Sequence, residues 1–150
     1  IGSTTQGAID VSSDLTPAAI TVLHLKSSST VIAREGLGGG VVVAQLAIEA
    51  GGDVIFSDVS TDVDMLAIDA TGFDSSFYDV DDLDINTVDT VVGVKAKSFT
   101  TNGPGPLTET SPIVLEDAVT TTETIITVPD EGIPQNFANT FVTNALPAGC

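Results

Sequence analysis

The residues with the clearest potential for chemistry are aspartates crowded into one short stretch. Asp79, Asp81, Asp82 and Asp84 fall within six consecutive positions. Calcium takes roughly six to eight oxygen ligands, and its binding relieves the repulsion between crowded carboxylates. The stretch has neither the glycine nor the glutamate that an EF-hand requires at fixed positions, so it predicts a calcium site of another kind. The alternative is a solvated acidic face that holds no ion.

Groups suited to enzymatic catalysis are scarce. His24 is the only histidine of the chain, and a lone histidine within a strand-like segment is more often structural than catalytic. No G-x-S-x-G, P-loop, H-E-x-x-H or cysteine–histidine pattern occurs. Paired acids could hydrolyse glycosides, but the chain has no Trp and one Tyr to stack on a sugar. The sequence therefore predicts a protein that is not an enzyme, with calcium as the one candidate cofactor.

The charge balance restricts the partners and the surroundings. Twenty-one acidic residues against four basic ones give a formal net charge of −17. Phosphate backbones are bound by clustered Lys and Arg, so nucleic acid is excluded as a partner. No segment approaches the roughly 18 apolar residues of a transmembrane helix, so no membrane span is expected. Carboxylate repulsion requires salt, divalent cations or an assembled partner to offset it, which predicts an extracellular or cell-surface location.

Short apolar segments rich in Val and Ile, bounded by turn residues, predict an all-β fold. The segments cover 20–26, 30–34, 41–50, 54–56, 64–69, 83–85, 88–99, 113–115 and 124–128. Residues 88–99 alternate apolar and polar side chains, as a half-buried antiparallel strand does. Gly51-Gly52-Asp53 resembles a hairpin connection. With no repeat of fixed period, the pattern predicts an antiparallel β-sandwich or a jelly-roll-like domain.

Two flexible arms are predicted to flank this domain. The sandwich would span 17–131, with an N-terminal arm over 1–16 and a C-terminal arm over 132–150 that packs on the domain or on a neighbour. Both arms carry spaced apolar residues, namely Ile9 and Val11, and Phe137 and Phe141. Such an arm can donate a strand to a neighbour's sheet, and contacts that do not close build filaments. The alternative is that both ends are frayed.

The termini and the side-chain inventory also suggest modifications. Cys150, the only cysteine, stands at the last position, and three interpretations are open: an intermolecular disulfide, a free thiol, or a residue at a processing boundary. The chain starts at Ile1 rather than Met, which indicates a processed N-terminus. No N-x-Ser/Thr sequon occurs, whereas abundant Ser and Thr offer sites for O-linked glycans.

These observations leave three hypotheses for the function, and in composition and layout the chain resembles extracellular β-sandwich subunits. The first is a non-enzymatic structural subunit that assembles with copies of itself into a pilus- or fibre-like surface filament by strand addition. Its contacts would involve Ile9, Val11, Phe137, Phe141 and Cys150. The second is a calcium-dependent adhesion or ligand-binding β-sandwich module of a surface protein. A hydrolase that uses acids alone is a third hypothesis.

Overall fold

The computed structural model describes residues 5, 7–34 and 38–116, and these residues form β-strands joined by short corners. The strands are β1 (Ile9–Val11), β2 (Val22–Ser27), β3 (Val31–Ala33), β4 (Val42–Ala50), β5 (Val54–Phe56), β6 (Asp62–Tyr78), β7 (Leu83–Ile85), β8 (Thr87–Val88), β9 (Val91–Val92), β10 (Val94–Asn102), β11 (Leu107–Glu109) and β12 (Ile113–Leu115). Every pairing among them is parallel except that of β8 with β9.

The parallel strands stack in three columns, and every turn of the chain adds one segment to each column. Column 1 consists of β1, β3, β5 and the C-terminal parts of β6 and β10. Column 2 consists of Leu15, the segment 41–43, the start of β6, and β7 and β11. Column 3 consists of β2, the remainder of β4 and β6, the start of β10, and β12. The described chain is therefore a parallel β-solenoid of about five turns.

The predicted antiparallel β-sandwich or jelly roll is wrong. Apolar and polar side chains alternate with the same period in parallel and antiparallel strands, so the pattern did not distinguish them. Gly51-Gly52-Asp53 is a corner between columns and not a hairpin. The backbone N–H of Gly51 donates to the carbonyl oxygen of Ser27 at 3.0 Å, and that of Val31 donates to Asp53 at 3.0 Å. These bonds stack the corner on the preceding turn.

A repeat is present, but its length varies. The paired residues of column 1 lie 22, 23, 21 and 24 positions apart, and they are Ile9, Val31, Val54, Ser75 and Phe99. Because the corners differ in length while the strands remain aligned, a search for a fixed period finds nothing. Each turn is one unit that buries its apolar face on its neighbours, as in other solenoids.

Several predicted strands are confirmed, and one is wrong. The segments 54–56, 83–85 and 113–115 are strands with those bounds, and 41–50 contains β4. Residues 88–99 are not one strand, because 87–92 fold back as the antiparallel pair β8–β9 before β10 begins. We call residues 87–92 the strap. The predicted strand 124–128 lies outside the described residues.

Equivalent apolar side chains stack along the interior from turn to turn. One such row in column 3 contains Leu25, Ile48, Ile68, Val94 and Ile113, and each of these side chains is at least nine-tenths buried. In column 1 the rings of Phe56 and Phe77 stack with centroids 5.0 Å apart. Burying each such side chain contributes about 1.5–3 kcal/mol. The core is thus a set of continuous rows.

Two phenylalanines on β6 test the importance of these rows. Phe77→Ala removes a fully buried ring stacked on Phe56, and we expect it to lower the free energy of unfolding by about 3–5 kcal/mol. Phe73→Ala removes a ring that is 39% exposed, and its effect should stay below about 1 kcal/mol. Urea titration of both variants measures the difference, and equal losses would contradict the stacked core.

Candidate functional site

The predicted metal ligands lie at the corner that leads from column 1 to column 2 in the fourth turn. Asp79 is buried at 3% exposure, Asp81 and Asp82 are exposed, and Asp84 is half-buried within β7. The amide N–H of Asp79 donates to the carbonyl oxygen of Asn102 in the next turn at 3.0 Å. The stretch is therefore divided between a buried corner, an exposed loop and a strand.

The carboxylate of Asp79 ties the corner to the preceding turn. Its Oδ1 accepts a hydrogen bond from the backbone N–H of Val63 at 2.8 Å. Its Oδ2 accepts one from the backbone N–H of Asp81 at 3.2 Å. Buried backbone donors need partners, so this side chain satisfies amides at a bend where strand pairing does not reach them.

Burial and crowding change how these acids titrate. Burial raises the pKa of Asp79 to about 7, with smaller contributions from the charges of Asp81 and Asp62, while the bonds from Val63 and Asp81 act in the opposite direction. The pKa of Asp62 is also raised, first by burial and then by the charges of Asp81 and Asp64. The structure thus gathers Asp62, Asp64, Asp79 and Asp81 into one region of negative potential.

A cavity of about 330 Å³ opens beside Asp79. Asp79 and Asp81 line one part, and the loop Gly103-Pro104-Gly105-Pro106 lines another. Gly103 has a φ of +138°, and a Cβ at this position would overlap the carbonyl oxygen of Asp79. Glycine therefore allows the fifth turn to approach the fourth at this corner.

The other predicted ligands do not join this group. Asp82 and Asp84 do not line the cavity, and Oδ2 of Asp84 accepts a hydrogen bond from the side-chain amide of Asn86 at 2.8 Å. Across the residues that the structure describes, no three His, Cys, Asp or Glu side chains are arranged to hold a metal ion. The four aspartates of the stretch therefore do not converge as the sequence suggested.

Sequence reasoning missed the partner residues contributed by neighbouring turns. Asp58 occupies the corner position one turn before Asp79, since each follows its paired column 1 residue, Val54 or Ser75, by four positions. Its Oδ1 accepts hydrogen bonds from the Ser60 hydroxyl at 2.6 Å and the Ser60 amide at 2.9 Å. The spacing of Asp58 and Asp79 matches the local repeat, and an alignment by turns would have revealed it.

The pKa values of Asp58 and Asp79 are shifted in opposite directions, although both side chains are buried. The pKa of Asp58 is lowered, first by the hydroxyl bond from Ser60, then by the Ser60 amide, with a further bond from the Gly39 amide. Asp79 accepts backbone bonds only and has acids as neighbours. The difference arises because loss of solvation dominates at Asp79, whereas at Asp58 the short hydroxyl bond, which stabilises the charged form, outweighs it.

The residues predicted to make assembly contacts fall in two groups. Ile9 and Val11 belong to β1, which pairs with β3, and their side chains pack against the core of the first turn. Phe137, Phe141 and Cys150, with the predicted C-terminal arm at 132–150, lie outside the described residues. β1 is thus part of the solenoid and supplies its first strand in column 1.

Comparisons with known proteins give no family for this chain. No protein-family model matches the sequence, and no curated protein or solved structure matches it significantly. Within the described part of the chain, no helix is long and apolar enough to cross a membrane.

The raised pKa of Asp79 predicts a specific dependence of stability on pH. Aspartate in the unfolded chain ionises near pH 3.8, whereas folded Asp79 keeps its proton to about pH 7. The folded state binds more protons between these limits, so the free energy of unfolding falls as pH rises through them, by up to about 4 kcal/mol. Asp79→Asn should reduce this fall, measured by urea unfolding at pH 4.5 and pH 7.5.

Asp58→Asn serves as the matched control with the opposite sign. Because the pKa of Asp58 is lowered, its contribution to stability is present above the unfolded pKa and is lost as pH falls through the folded value. This variant should lower the stability at pH 7.5 and have a smaller effect in acid. An unchanged pH dependence in Asp79→Asn would contradict the assignment.

Proposed function

We propose that this chain is a non-enzymatic structural subunit that extends a solenoid by stacking copies end to end. Among the described strands, β1 pairs only with β3 and β2 only with β4. At the other end, β11 pairs only with β7 and β12 only with β10. Within the described residues no further strand pairs with these edges, and this observation carries the proposal, because such an edge can bind another strand through main-chain hydrogen bonds.

The two ends are compatible in the register that the turns already follow. The row that runs from Leu25 to Ile113 would continue across the joint. Leu25 of the next copy would then lie beside Ile113 of the preceding copy. In column 1 the same continuation places Ile9 on Phe99. Apolar residues therefore meet apolar residues inside both columns. A head-to-tail contact of this kind does not close, so it produces filaments.

The outward residues at the joint are also compatible. In column 1, Asp10 of one copy would lie next to Thr100 of the other, since both belong to the row that passes through Ile32, Ile55 and Ser76. In column 3, Lys26 of one copy would lie next to Val114 of the other, since these two residues also belong to one row. No like charges face each other in these pairs.

The net charge of −17 opposes the association of copies at low ionic strength. Screening reduces this repulsion, since the Debye length falls to roughly 8 Å at physiological salt and about 3 Å at 1 M. An extracellular or surface location, with glycans on exposed Ser and Thr, suits a subunit of this kind. Its assembly would depend on salt.

Disulfide trapping tests the proposed joint. Chains carrying Asp10→Cys are mixed with chains carrying Thr100→Cys, both in a Cys150→Ser background, and oxidised mildly. Neighbouring parallel strands lie roughly 4.8 Å apart, within the Cα separation that a disulfide accepts, so we expect a covalent dimer on non-reducing gels. Replacing Thr100→Cys by Val114→Cys, which belongs to another column, should give little dimer. Equal yields, or none, would sink the stacking proposal.

Negative-stain electron microscopy of the unmodified protein provides a second measurement. Unbranched filaments should grow longer between 0.05 M and 0.5 M sodium chloride, because salt screens the acidic surfaces. The filaments should form equally with calcium and with EDTA if stacking alone drives assembly. Uniform single particles in every condition would count against self-assembly.

A second candidate function is a calcium-dependent adhesion or ligand-binding module of a surface protein. The observation in its favour is the cavity beside Asp79 together with the mutual repulsion of Asp62, Asp79 and Asp81. A divalent cation would relieve that repulsion, and carboxylates are ligands that calcium prefers. The module would act as a monomer.

Thermal unfolding with calcium tests this second function. If the corner binds the ion, the melting temperature should rise by roughly 5–10 °C at calcium concentrations 100 times the dissociation constant. Asp81→Asn should remove most of the increase, whereas Asp10→Asn, a change of an exposed acid on another column, should retain it. Identical melting curves in millimolar calcium and in EDTA would eliminate the calcium hypothesis.

A further inference from the structure

The strap, residues 87–92, interrupts the fourth turn and lies on the outer side of column 3. The strap begins directly after Asn86. The amide N–H of Gly93 donates to the carbonyl oxygen of Asn86 at 3.1 Å, and this bond closes the base of the strap. Gly93 has a φ of +62°, and a Cβ there would overlap the carbonyl oxygen of Pro112. The solenoid therefore continues at Val94 as if the strap were absent.

The strap has its own small apolar core. Val88 and Val91 are buried against Ala47 of the second turn and Ala67 of the third, with Met65 at the margin. These alanines point away from the main interior, since they alternate with the buried Leu46, Ile48, Leu66 and Ile68. Small side chains at these two positions leave space for the valines of the strap.

The tip of the strap reaches the first turn. His24, Ala47 and Ala67 belong to one row of column 3, so the strap contacts the third, second and first turns in order. At its tip, Nδ1 of His24 is hydrogen-bonded to Oδ2 of Asp89 at 2.7 Å. Asp89 is also the one non-glycine residue with positive φ, +54°, in the described chain.

The imidazole of His24 lies between two carboxylates. Its Nε2 is 2.9 Å from Oε1 of Glu49, on the opposite side of the ring from Asp89. Oε1 of Glu49 also forms an ion pair with Nζ of Lys26 at 2.8 Å. The row of paired residues that contains Glu49 continues through Asp69 to Lys95. The charged groups around the ring are therefore Glu49 from β4, Asp89 from the strap, and Lys26, Asp69 and Lys95 in the adjoining row.

The charge state of His24 decides how strongly this arrangement attracts the strap. The imidazolium carries protons on both nitrogens and attracts both carboxylates. The neutral ring has one nitrogen without a proton, which then faces a carboxylate oxygen. Loss of one ring proton therefore weakens the attraction, and histidine is the side chain that generally loses a proton near neutral pH.

We propose that the strap is a pH-sensitive staple that joins the fourth turn to the first through the contact between Asp89 and His24, while Glu49 of the second turn holds the other side of the imidazole ring. In a solenoid each turn is ordinarily stabilised only by its immediate neighbours, so a terminal turn opens most readily. The bond between Asp89 and His24 adds a direct link from the fourth turn to the first, beside the packing of Val88 and Val91 on the second and third turns. With His24 protonated the first turn is held closed, and with His24 neutral it opens more often. This inference concerns the single chain and does not depend on self-assembly.

Hydrogen–deuterium exchange at pH 5.5 and pH 8.0 tests the staple, with rates corrected for the intrinsic effect of pH. Peptides covering β2 should exchange about tenfold more at pH 8.0, the change expected from losing one charge-assisted hydrogen bond. Peptides covering β10 and β12 should be unaffected and serve as the internal reference. Equal protection of β2 at both pH values would overturn the proposal.

Two variants and one control separate the staple from a general effect of charge. His24→Gln removes the titrating group, and Asp89→Asn removes the carboxylate while tolerating the positive φ. In both, β2 should exchange at the faster rate at either pH. Asp10→Asn removes an exposed acid from the same turn and should retain the pH dependence.

The remaining outcomes of this experiment count against the staple. A pH dependence that survives in His24→Gln would assign it to another group. Retained protection of β2 at both pH values in the variants would show that the contacts with the carboxylates are dispensable. Loss of protection in β10 and β12 together with β2 would show that the whole chain opens, rather than the first turn.

Discussion

The structure depends on one constraint, the parallel hydrogen-bond ladder that holds each residue beside its equivalent in the next turn. Neighbouring strands lie roughly 4.8 Å apart, so paired side chains are in contact whatever their chemistry. Inside, this favours continuous apolar rows such as that from Leu25 to Ile113. Outside, it brings charges together, and the row of Lys26, Glu49, Asp69 and Lys95 contains both signs. In so acidic a chain, that row holds two of the four basic residues.

The corners are where the ladder is incomplete, and buried aspartates supply the missing acceptors. Asp58 and Asp79 occupy equivalent corners and bond to backbone amides of their own and adjacent turns. Their pKa values move in opposite directions because Asp58 receives a hydroxyl bond, whereas Asp79 is buried beside other acids. The acidic corner is thus first a structural solution for unpaired amides. Any cation site there would be built on top of that role.

A linear stack of turns also has two consequences for its ends. The terminal strands keep one edge that is unpaired within the described residues, which is the basis of the proposed assembly. Within the described residues a terminal turn also has one neighbouring turn instead of two, so less packing stabilises it. The strap compensates at the first turn by connecting Asp89 to His24. An edge available for assembly and a staple that orders it are therefore compatible features of one turn.

The sequence by itself determined that the chain is all-β, where strands such as 54–56 and 83–85 begin and end, and that the surface is strongly acidic. These properties are local or additive, since they follow from side-chain alternation, turn residues and counts of charge. Only the tertiary structure decided that the strands are parallel, that Asp62 approaches Asp79 and Asp81 while Asp84 remains in β7, and that 87–92 form a strap. Alternation has the same period in parallel and antiparallel strands, and the corners vary in length. Which residues become neighbours is therefore set by the register between turns, and no single segment of the sequence encodes that register.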